Sequence, residues 1–211
     1  MEIKFDRSKH VYHNNAFDEI LKDAVRFFHG TPVFNLPPPE SFAGAGIYAL
    51  YYIGRTGLYS KFGEVINRTS YNVPIYVGKA VPPGWRQNRI VNGKPQTTTL
   101  SQRLRQHAKS IDETKNLSIV DFTCRFMIFE GEAQNMVAAV EAAIIAEKTP
   151  VWNSVIDGFG NHDPGEKRKT GRLSAWDTLH PGRTWASRLS GETPDIKDLK
   201  RRITDYLVGL R

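Results

Sequence analysis

The sequence has 211 residues, 40% of them hydrophobic and 24% charged, a balance typical of a globular protein with an apolar core. Its formal net charge is +7, its single cysteine is Cys124, and no run of about 18 apolar residues occurs. These features exclude a disulfide framework, a cysteine-rich zinc site and a membrane-spanning helix, and they favour a cytoplasmic protein, as does the absence of an apolar run typical of a secretory signal.

The N-terminal part of the chain predicts one helix and one strand. Asn15 is a candidate cap for a helix whose apolar residues recur at spacings of three and four, from Phe17 to Phe28. Residues 37–39 are all proline and end regular structure. Residues 46–53, rich in β-branched and aromatic types, then predict a strand.

The rest of the chain alternates strands with helices. Strands are predicted over 74–79 and 119–129, the second from its alternating apolar residues. Between them, Thr99 is a candidate cap for an amphipathic helix. Residues 132–147 are nearly all apolar and predict a buried helix, and a last helix is predicted over 194–210.

The positive charge is concentrated in one part of the sequence. Between Arg55 and Lys109 there are ten basic residues and one acidic residue. Such a stretch is either an ordinary solvated surface or a surface that follows the phosphates of a nucleic acid. Four aromatic residues are interspersed among the basic ones, which slightly favours nucleic acid; they are Tyr59, Phe62, Tyr71 and Trp85.

Three polar residues on predicted helices could carry chemistry. Arg103 and His107 are four residues apart, so they share a helix face beside its apolar stripe, although an isolated pair of this kind is usually two surface residues. Glu141 lies within the apolar helix, where an ionised carboxylate needs an ion pair, hydrogen bonds or a metal. It is therefore either a paired or outward-facing residue or an oxygen ligand for Mg²⁺.

Two tyrosines lie on neighbouring predicted strands. Tyr48 is on the first and Tyr76 on the second, and side chains of adjacent antiparallel strands can meet on one face of a sheet. Tyrosines in strands usually only pack. These two gain significance through their combination with Arg103, His107 and Glu141.

Together these residues resemble the sequence pattern of a known family. The pattern consists of Gly46-Ile47-Tyr48, Tyr76-Val77-Gly78, Arg103 with His107, Glu141, and Pro150 with Asn153. It resembles the GIY-YIG nucleases, and most of all the GIY-YIG type II restriction endonucleases. The resemblance covers residues 46–153, and each of the five pieces lies on the expected element in the expected order.

The sequence departs from the family pattern in two ways. A literal Tyr52-Ile53-Gly54 follows the first motif, but Tyr52 lies on the same strand, about 13 Å from Tyr48, and cannot face it from a neighbouring strand. Tyr76-Val77-Gly78 is therefore the better second motif. The two motifs are separated by 27 residues instead of a short hairpin, and we interpret residues 55–73 as an insertion that contacts DNA.

The resemblance implies an α+β fold with a small three-stranded antiparallel sheet flanked by helices. We expect one elaborated domain over residues 1–211, with residues 46–153 as the catalytic core. Residues 1–45 would form a helical N-terminal extension, and residues 154–211 a C-terminal extension that ends in a helix. Basic insertions would be added to this core.

The resemblance also implies a site for phosphodiester hydrolysis. Glu141 would bind one Mg²⁺, for which Mn²⁺ can substitute, as a Lewis acid. Arg103 would hold a phosphate oxygen. Tyr48 would take a proton from water, and His107 would relay it, because a hydroxyl with a pKa near 10 is a poor base alone. Which group is the base is left open.

Other residues would position the substrate. Tyr76 would orient water or phosphate, and Asn153 would hold the site through its amide. Arginine pairs bidentately with guanine, so an arginine-rich insertion fits a short GC-rich target. The candidate DNA contacts are Arg55, Arg68, Lys79, Arg86, Arg89 and Arg105.

The expected partner is double-stranded DNA. One chain carries one catalytic set, so we expect a symmetric homodimer on a palindromic site. A cognate DNA methyltransferase is implied in the host, but not as a stable complex. The alternatives are a homing or repair GIY-YIG endonuclease, for whose separate DNA-binding module the 58 residues after Asn153 leave little room, and a non-catalytic DNA-binding protein, which would have no reason to keep the whole catalytic set.

Overall fold

The fold is α+β, with a four-stranded antiparallel sheet that is covered by helices on both faces. The computed structural model describes residues 4–67, 70–82, 97–165 and 170–210. The strands are β1 (Val33–Asn35), β2 (Ala45–Tyr52), β3 (Tyr76–Ala80) and β4 (Phe122–Phe129), in the spatial order β1-β4-β2-β3. The helices are α1 (Asn15–Gly30), α2 (Thr99–Asp112), α3 (Val137–Lys148), α4 (Val151–Ser154), α5 (Ala175–Leu179) and α6 (Ile196–Gly209). No helix among these residues is long and apolar enough to cross a membrane.

Strand β2 is the centre of the sheet, and all eight of its residues are buried. Its side chains point alternately to the two faces of the sheet. One face packs against α1 and α3, and the other packs against α2 and the C-terminal segment. A strand covered on both faces has no polar side, which explains its continuous apolar sequence. The two sets are Ile47, Ala49 and Tyr51, and Tyr48, Leu50 and Tyr52.

The sheet has one strand more than the three expected. The additional strand β1 pairs with β4, with Phe34 opposite Cys124. A three-residue strand is too short for its alternation to show in a sequence, and the prolines at 37–39 follow almost immediately. The segment before residue 46 therefore contributes to the sheet and does not only add a helix.

Three predicted helices differ in detail from the observed ones. The cap of α2 is Thr98, so the predicted cap at Thr99 is the first residue of the helix. The cap of α1 is Asn14, whose side chain accepts a hydrogen bond from the Ala16 amide, so the predicted cap at Asn15 was one residue late. The predicted helix over 132–147 begins as a 3-10 helix and becomes α-helical only at Val137. Only one face of α3 is buried, and Ala142 is exposed on the other, because alanine fits either environment.

The segment between the two motifs is partly core. Tyr59 and Phe62 are fully buried, the latter at the start of a short π-helix. The Tyr59 hydroxyl accepts a hydrogen bond of 2.9 Å from the Trp152 indole and makes another of 2.8 Å with Nε2 of His180. These aromatic residues therefore hold the segment on the core and do not mark a nucleic-acid surface. Trp85 lies outside the described residues.

Gly46 provides a test of how closely the central strands approach. A Cβ atom at this position would lie 1.9 Å from the backbone oxygen of Met127 in β4. Gly46→Ala should force β2 and β4 apart and lower the free energy of unfolding by about 3 kcal/mol. Urea unfolding followed by circular dichroism measures the change.

Gly30→Ala is the matched control, because a Cβ atom there meets nothing within 4 Å. It should change the free energy of unfolding by less than about 0.5 kcal/mol. Equal unfolding midpoints for the two variants would contradict the close approach.

Candidate active site

A buried hydrogen bond links two of the predicted catalytic residues. The hydroxyl of Tyr48 lies 2.6 Å from Nε2 of His107, and the two residues are 1% and 2% exposed. Strand β2 directs Tyr48 towards α2, and α2 carries His107 on the face that meets the sheet. Which atom donates depends on the tautomer of the imidazole ring.

The surroundings keep both groups uncharged. Burial raises the pKa of the Tyr48 hydroxyl well above its usual value of 10. Burial, followed by the charge of Arg103, lowers the pKa of His107 well below its usual value of 6.5. Near neutral pH the pair is therefore a neutral phenol and a neutral imidazole.

Tyr76 completes a cluster of three rings. Its ring centroid lies 6.2 Å from that of Tyr48 and 5.4 Å from that of His107. In the register of β2 and β3, Tyr48 is opposite Gly78, where a Cβ atom would lie 2.5 Å from the Tyr48 hydroxyl. The glycine of the second motif thus makes room for the tyrosine of the first. Burial raises the pKa of Tyr76 as well, and the nearby charge of Arg103 opposes this effect.

The alternative second motif lies elsewhere. Tyr52 is buried on β2, on the same strand as Tyr48, and its hydroxyl donates to the backbone oxygen of Thr56 at 2.9 Å. Because Tyr76 is on the adjacent strand and Tyr52 is not, the register confirms the placement predicted for Tyr76-Val77-Gly78.

Arg103 is held at the edge of the cluster by a segment that the sequence did not single out. Its Nη2 donates to the backbone oxygen of Gly160 at 2.7 Å, and its Nη1 lies 3.1 Å from Nε2 of His162. The ring of Phe159 stacks on His107, with centroids 4.4 Å apart and planes inclined by 20°. No motif marks residues 158–162, which lie in the C-terminal extension expected over residues 154–211.

An open cleft of about 490 Å³ gives access to this cluster from solvent. It lies between α2 and the segment that follows Phe159, and Arg103 and His107 reach its wall. Among the described residues, its charged lining consists of three cations and two carboxylates, which are Arg103, Lys109 and Arg188, and Glu113 and Asp163. A phosphate group can therefore approach the side chains that would act on it.

Glu141 forms an ion pair with Lys79 across α3 and β3. The two side chains are 14% and 25% exposed, so the carboxylate is largely buried but reachable. Lys79 was predicted as a DNA contact, and here its ammonium group satisfies the buried carboxylate.

The residues around Glu141 fit a magnesium ion that is shared with substrate. No group of three or more His, Cys, Asp or Glu side chains that could hold a metal occurs in the described ranges. One carboxylate is nevertheless an acceptable protein contribution, because Mg²⁺ commonly keeps several waters and takes its other ligands from phosphate. Glu141 supplies a hard oxygen of the required kind.

Asn153 binds backbone and not substrate. Its Oδ1 accepts from the Val77 amide at 2.8 Å, and its Nδ2 donates to the Val77 carbonyl at 2.9 Å. Both hydrogen bonds are made to the residue that follows Tyr76. The amide of Asn153 thereby ties α4 to β3 and fixes the strand that carries Tyr76.

The described residues include only some of the predicted DNA contacts. Arg55 and Arg105 are exposed, and Arg105 makes a long hydrogen bond of 3.4 Å to the backbone oxygen of Pro38. Arg68, Arg86 and Arg89 lie outside the described residues.

Residues 40–207 match the family model described as the Eco29kI GIY-YIG domain. The chain belongs to this family. The Eco29kI GIY-YIG family is one of type II restriction endonucleases, so the protein is a DNA endonuclease of the restriction type. GIY-YIG nucleases generally depend on a divalent metal. No curated protein sequence matches the chain.

Substitution of Tyr48, Tyr76 and Tyr52 tests which hydroxyl groups on β2 and β3 act in catalysis and which belong to side chains that only pack. Tyr48→Phe and Tyr76→Phe remove only hydroxyl groups and should each lower the single-turnover rate of DNA cleavage by roughly 10²-fold. Tyr52→Phe is the control and should cleave at the parental rate. An inactive Tyr52→Phe beside an active Tyr76→Phe would show that the second motif has been misassigned.

Arg103 and His107 on α2 should contribute to the cleavage rate to a degree similar to that of the two tyrosines. Arg103→Ala and His107→Ala should each reduce single-turnover cleavage by roughly 10²-fold or more, the scale of a lost electrostatic or acid–base group. Gln102→Ala, an exposed position on the same helix, should not. If both Arg103→Ala and His107→Ala cleave at the parental rate, the two residues on this face of α2 do not act in catalysis.

Proposed function

We propose that the protein is a type II restriction endonuclease that cuts double-stranded DNA within a short, GC-rich palindrome. The observation that carries this proposal is the buried hydrogen bond between Tyr48 and His107, with Tyr76 and Arg103 beside it. A homing or repair enzyme of the same family is the second candidate. The match to a restriction-enzyme family favours the first.

The neutral pair can move a proton without first forming a charged tyrosine. When His107 carries its proton on Nδ1, its Nε2 accepts the hydroxyl proton of Tyr48. Tyr48 can then take a proton from water in the same step, which avoids a free phenolate in a buried site. Because burial lowers the pKa of His107, the imidazolium is disfavoured and would serve only as a transient carrier that readily returns its proton. Tyr76, on the adjacent strand, would orient the water or the phosphate.

The cationic groups neutralise the phosphate. Arg103 presents a forked guanidinium at the cleft, a geometry suited to two phosphate oxygens. Glu141 is the proposed ligand of a single Mg²⁺, for which Mn²⁺ can substitute, and the bound ion would supply Lewis-acid stabilisation of the phosphate and the leaving oxygen. Lys79 must release Glu141 when the metal binds, and its ammonium group is then available to the DNA backbone.

A homodimer would cut both strands. One catalytic cluster per chain acts on one strand, and a two-fold dimer places two clusters symmetrically on a palindrome. Phe17 and Ile20 on α1 are 47% and 53% exposed and are available for a partner subunit. A cognate methyltransferase would protect the host DNA.

Digestion of plasmid DNA tests the activity and its metal dependence together. With Mg²⁺ we expect discrete fragments, and with excess EDTA we expect none. Glu141→Gln should bind DNA but not cut it, because it removes one charge and little volume. A protein that binds the plasmid but never cuts it would be a non-catalytic DNA-binding protein.

Glu147→Gln is the matched control for that experiment. It makes the same change on the same helix at a site where the carboxylate pairs with Lys148, and it should cut normally. Parental cleavage by Glu141→Gln would rule out the metal-ligand role.

Sedimentation with a cognate duplex tests the dimer. We expect two protomers on each palindromic site and linear plasmid as the first product, because both strands are cut in one binding event. One protomer per site, together with nicked plasmid, would rule the dimer out.

A further inference from the structure

Arg183 is the most completely satisfied charged residue among those described. It is 1% exposed, and all five of its N–H donors are used. Its Nε and Nη2 donate to the two carboxylate oxygens of Asp177 at 2.6 and 2.7 Å. Its other donors reach the backbone oxygens of Gly158 at 2.9 Å, Phe159 at 3.1 Å and Asn161 at 3.4 Å.

Two tryptophan rings and a buried carboxylate hold the Arg183 guanidinium in one orientation. Trp176 and Trp185 cover it, each with its ring centroid 4.6 Å from the guanidinium carbon. Asp177 is buried too, and its second oxygen also accepts from the Ser174 hydroxyl at 2.7 Å. A buried ion pair contributes little net stability compared with apolar packing, so an arrangement this complete is better explained by the conformation that it specifies.

That conformation is the backbone of residues 158–161, which lies directly on the active site. Phe159 stacks on His107. The carbonyl of Gly160 accepts from Arg103, and a Cβ atom on Gly160 would lie 2.5 Å from the Tyr76 hydroxyl. Consecutive residues of one segment thus contact three of the proposed catalytic side chains.

We propose that Arg183 is a positioning residue of the active site. It fixes residues 158–161, and through Phe159 and Gly160 it holds the orientation of His107 and Arg103. The catalytic part of this inference rests on the proposed function. It extends the functional site into the C-terminal segment, which carries none of the family motifs.

Arg183→Lys is the first test, because lysine keeps the charge but cannot bridge Asp177 and three carbonyls with one fork of donors. We expect single-turnover cleavage to fall on the order of 10²-fold, as for a small misplacement of catalytic groups. Affinity for the duplex, measured in Ca²⁺, should stay close to the parental value. Arg202→Lys is the matched control, because Arg202 is exposed and its hydrogen bond among the described residues is to the Val155 carbonyl.

Phe159→Leu is the second test and carries the inference if Arg183→Lys does not fold. It keeps an apolar side chain but removes the stack on His107, and it should slow cleavage in the same way. Ile203→Ala is a destabilised control, since it opens a cavity in the core on α6, a helix that carries none of the proposed catalytic residues. At a temperature where all variants are folded, Ile203→Ala should cleave at the parental rate.

A chemical readout makes the outcome independent of cleavage. His107 is buried, so it should react slowly with diethyl pyrocarbonate, whereas His10 and His13 are exposed and serve as internal references. Mass spectrometry should show faster modification of His107 in Arg183→Lys and Phe159→Leu. If the parental enzyme is inactive, the proposed function is contradicted. The modification rate of His107 then still tests whether Arg183 holds its position.

Any of three results would overturn the inference. In the first, His107 stays protected in both variants. In the second, the parental enzyme is active and the Arg183→Lys and Phe159→Leu variants cleave as fast as it does. In the third, Ile203→Ala slows cleavage as much as those two variants do.

Discussion

The burial of a hydroxyl on a strand with no polar face is the constraint around which the rest of the site is arranged. Tyr48 lies on β2, which is covered on both sides, so its hydroxyl cannot be satisfied by bulk water. An unpaired buried hydroxyl costs about 1–3 kcal/mol. His107 removes this cost, because α2 packs with that face of the helix against the sheet. The hydroxyl of Tyr51, on the other face of β2, differs from that of Tyr48. It is also buried, but it has no hydrogen-bond partner among the described residues.

The electrostatics of the site are built from two separate arrangements. The ring cluster is neutral, because burial opposes charge on both Tyr48 and His107. The charged groups lie at its margins, with Arg103 on α2 and the Lys79–Glu141 pair between β3 and α3. The neutral rings and the charged groups therefore occupy different positions, and only Arg103 and His107 among them line the cleft beside α2. In the absence of substrate, each charged group already has a partner within the protein.

The sequence predicted the parts of the structure that depend on local pattern. The strands with Tyr48 and Tyr76 have enough length and β-branched or aromatic content to be recognised, and the spacing of Arg103 and His107 placed them on one helix face. β1 was missed because three residues show no period. The π-helix and the burial of Tyr59 were missed because the surrounding charge suggested a surface.

The segment at 158–161 could not have been predicted in the same way. Its conformation is set by Arg183, more than twenty residues later, and in a sequence such an arginine is indistinguishable from a surface residue. Burial of a guanidinium depends on two tryptophans and a carboxylate that meet only in the folded chain. Long-range polar contacts of this type leave no periodic signal.

The contact between Gly78 and Tyr48 also constrains how such a site could decay over evolutionary time. Any side chain at position 78 would collide with the Tyr48 hydroxyl, and a displaced ring would lose its bond to His107. A larger residue at 78 is therefore accommodated only if the Tyr48 ring moves away from its position beside His107. In a lineage that abandons catalysis, a replaced glycine beside a surviving tyrosine would therefore mark a site whose hydrogen bond to His107 has been lost.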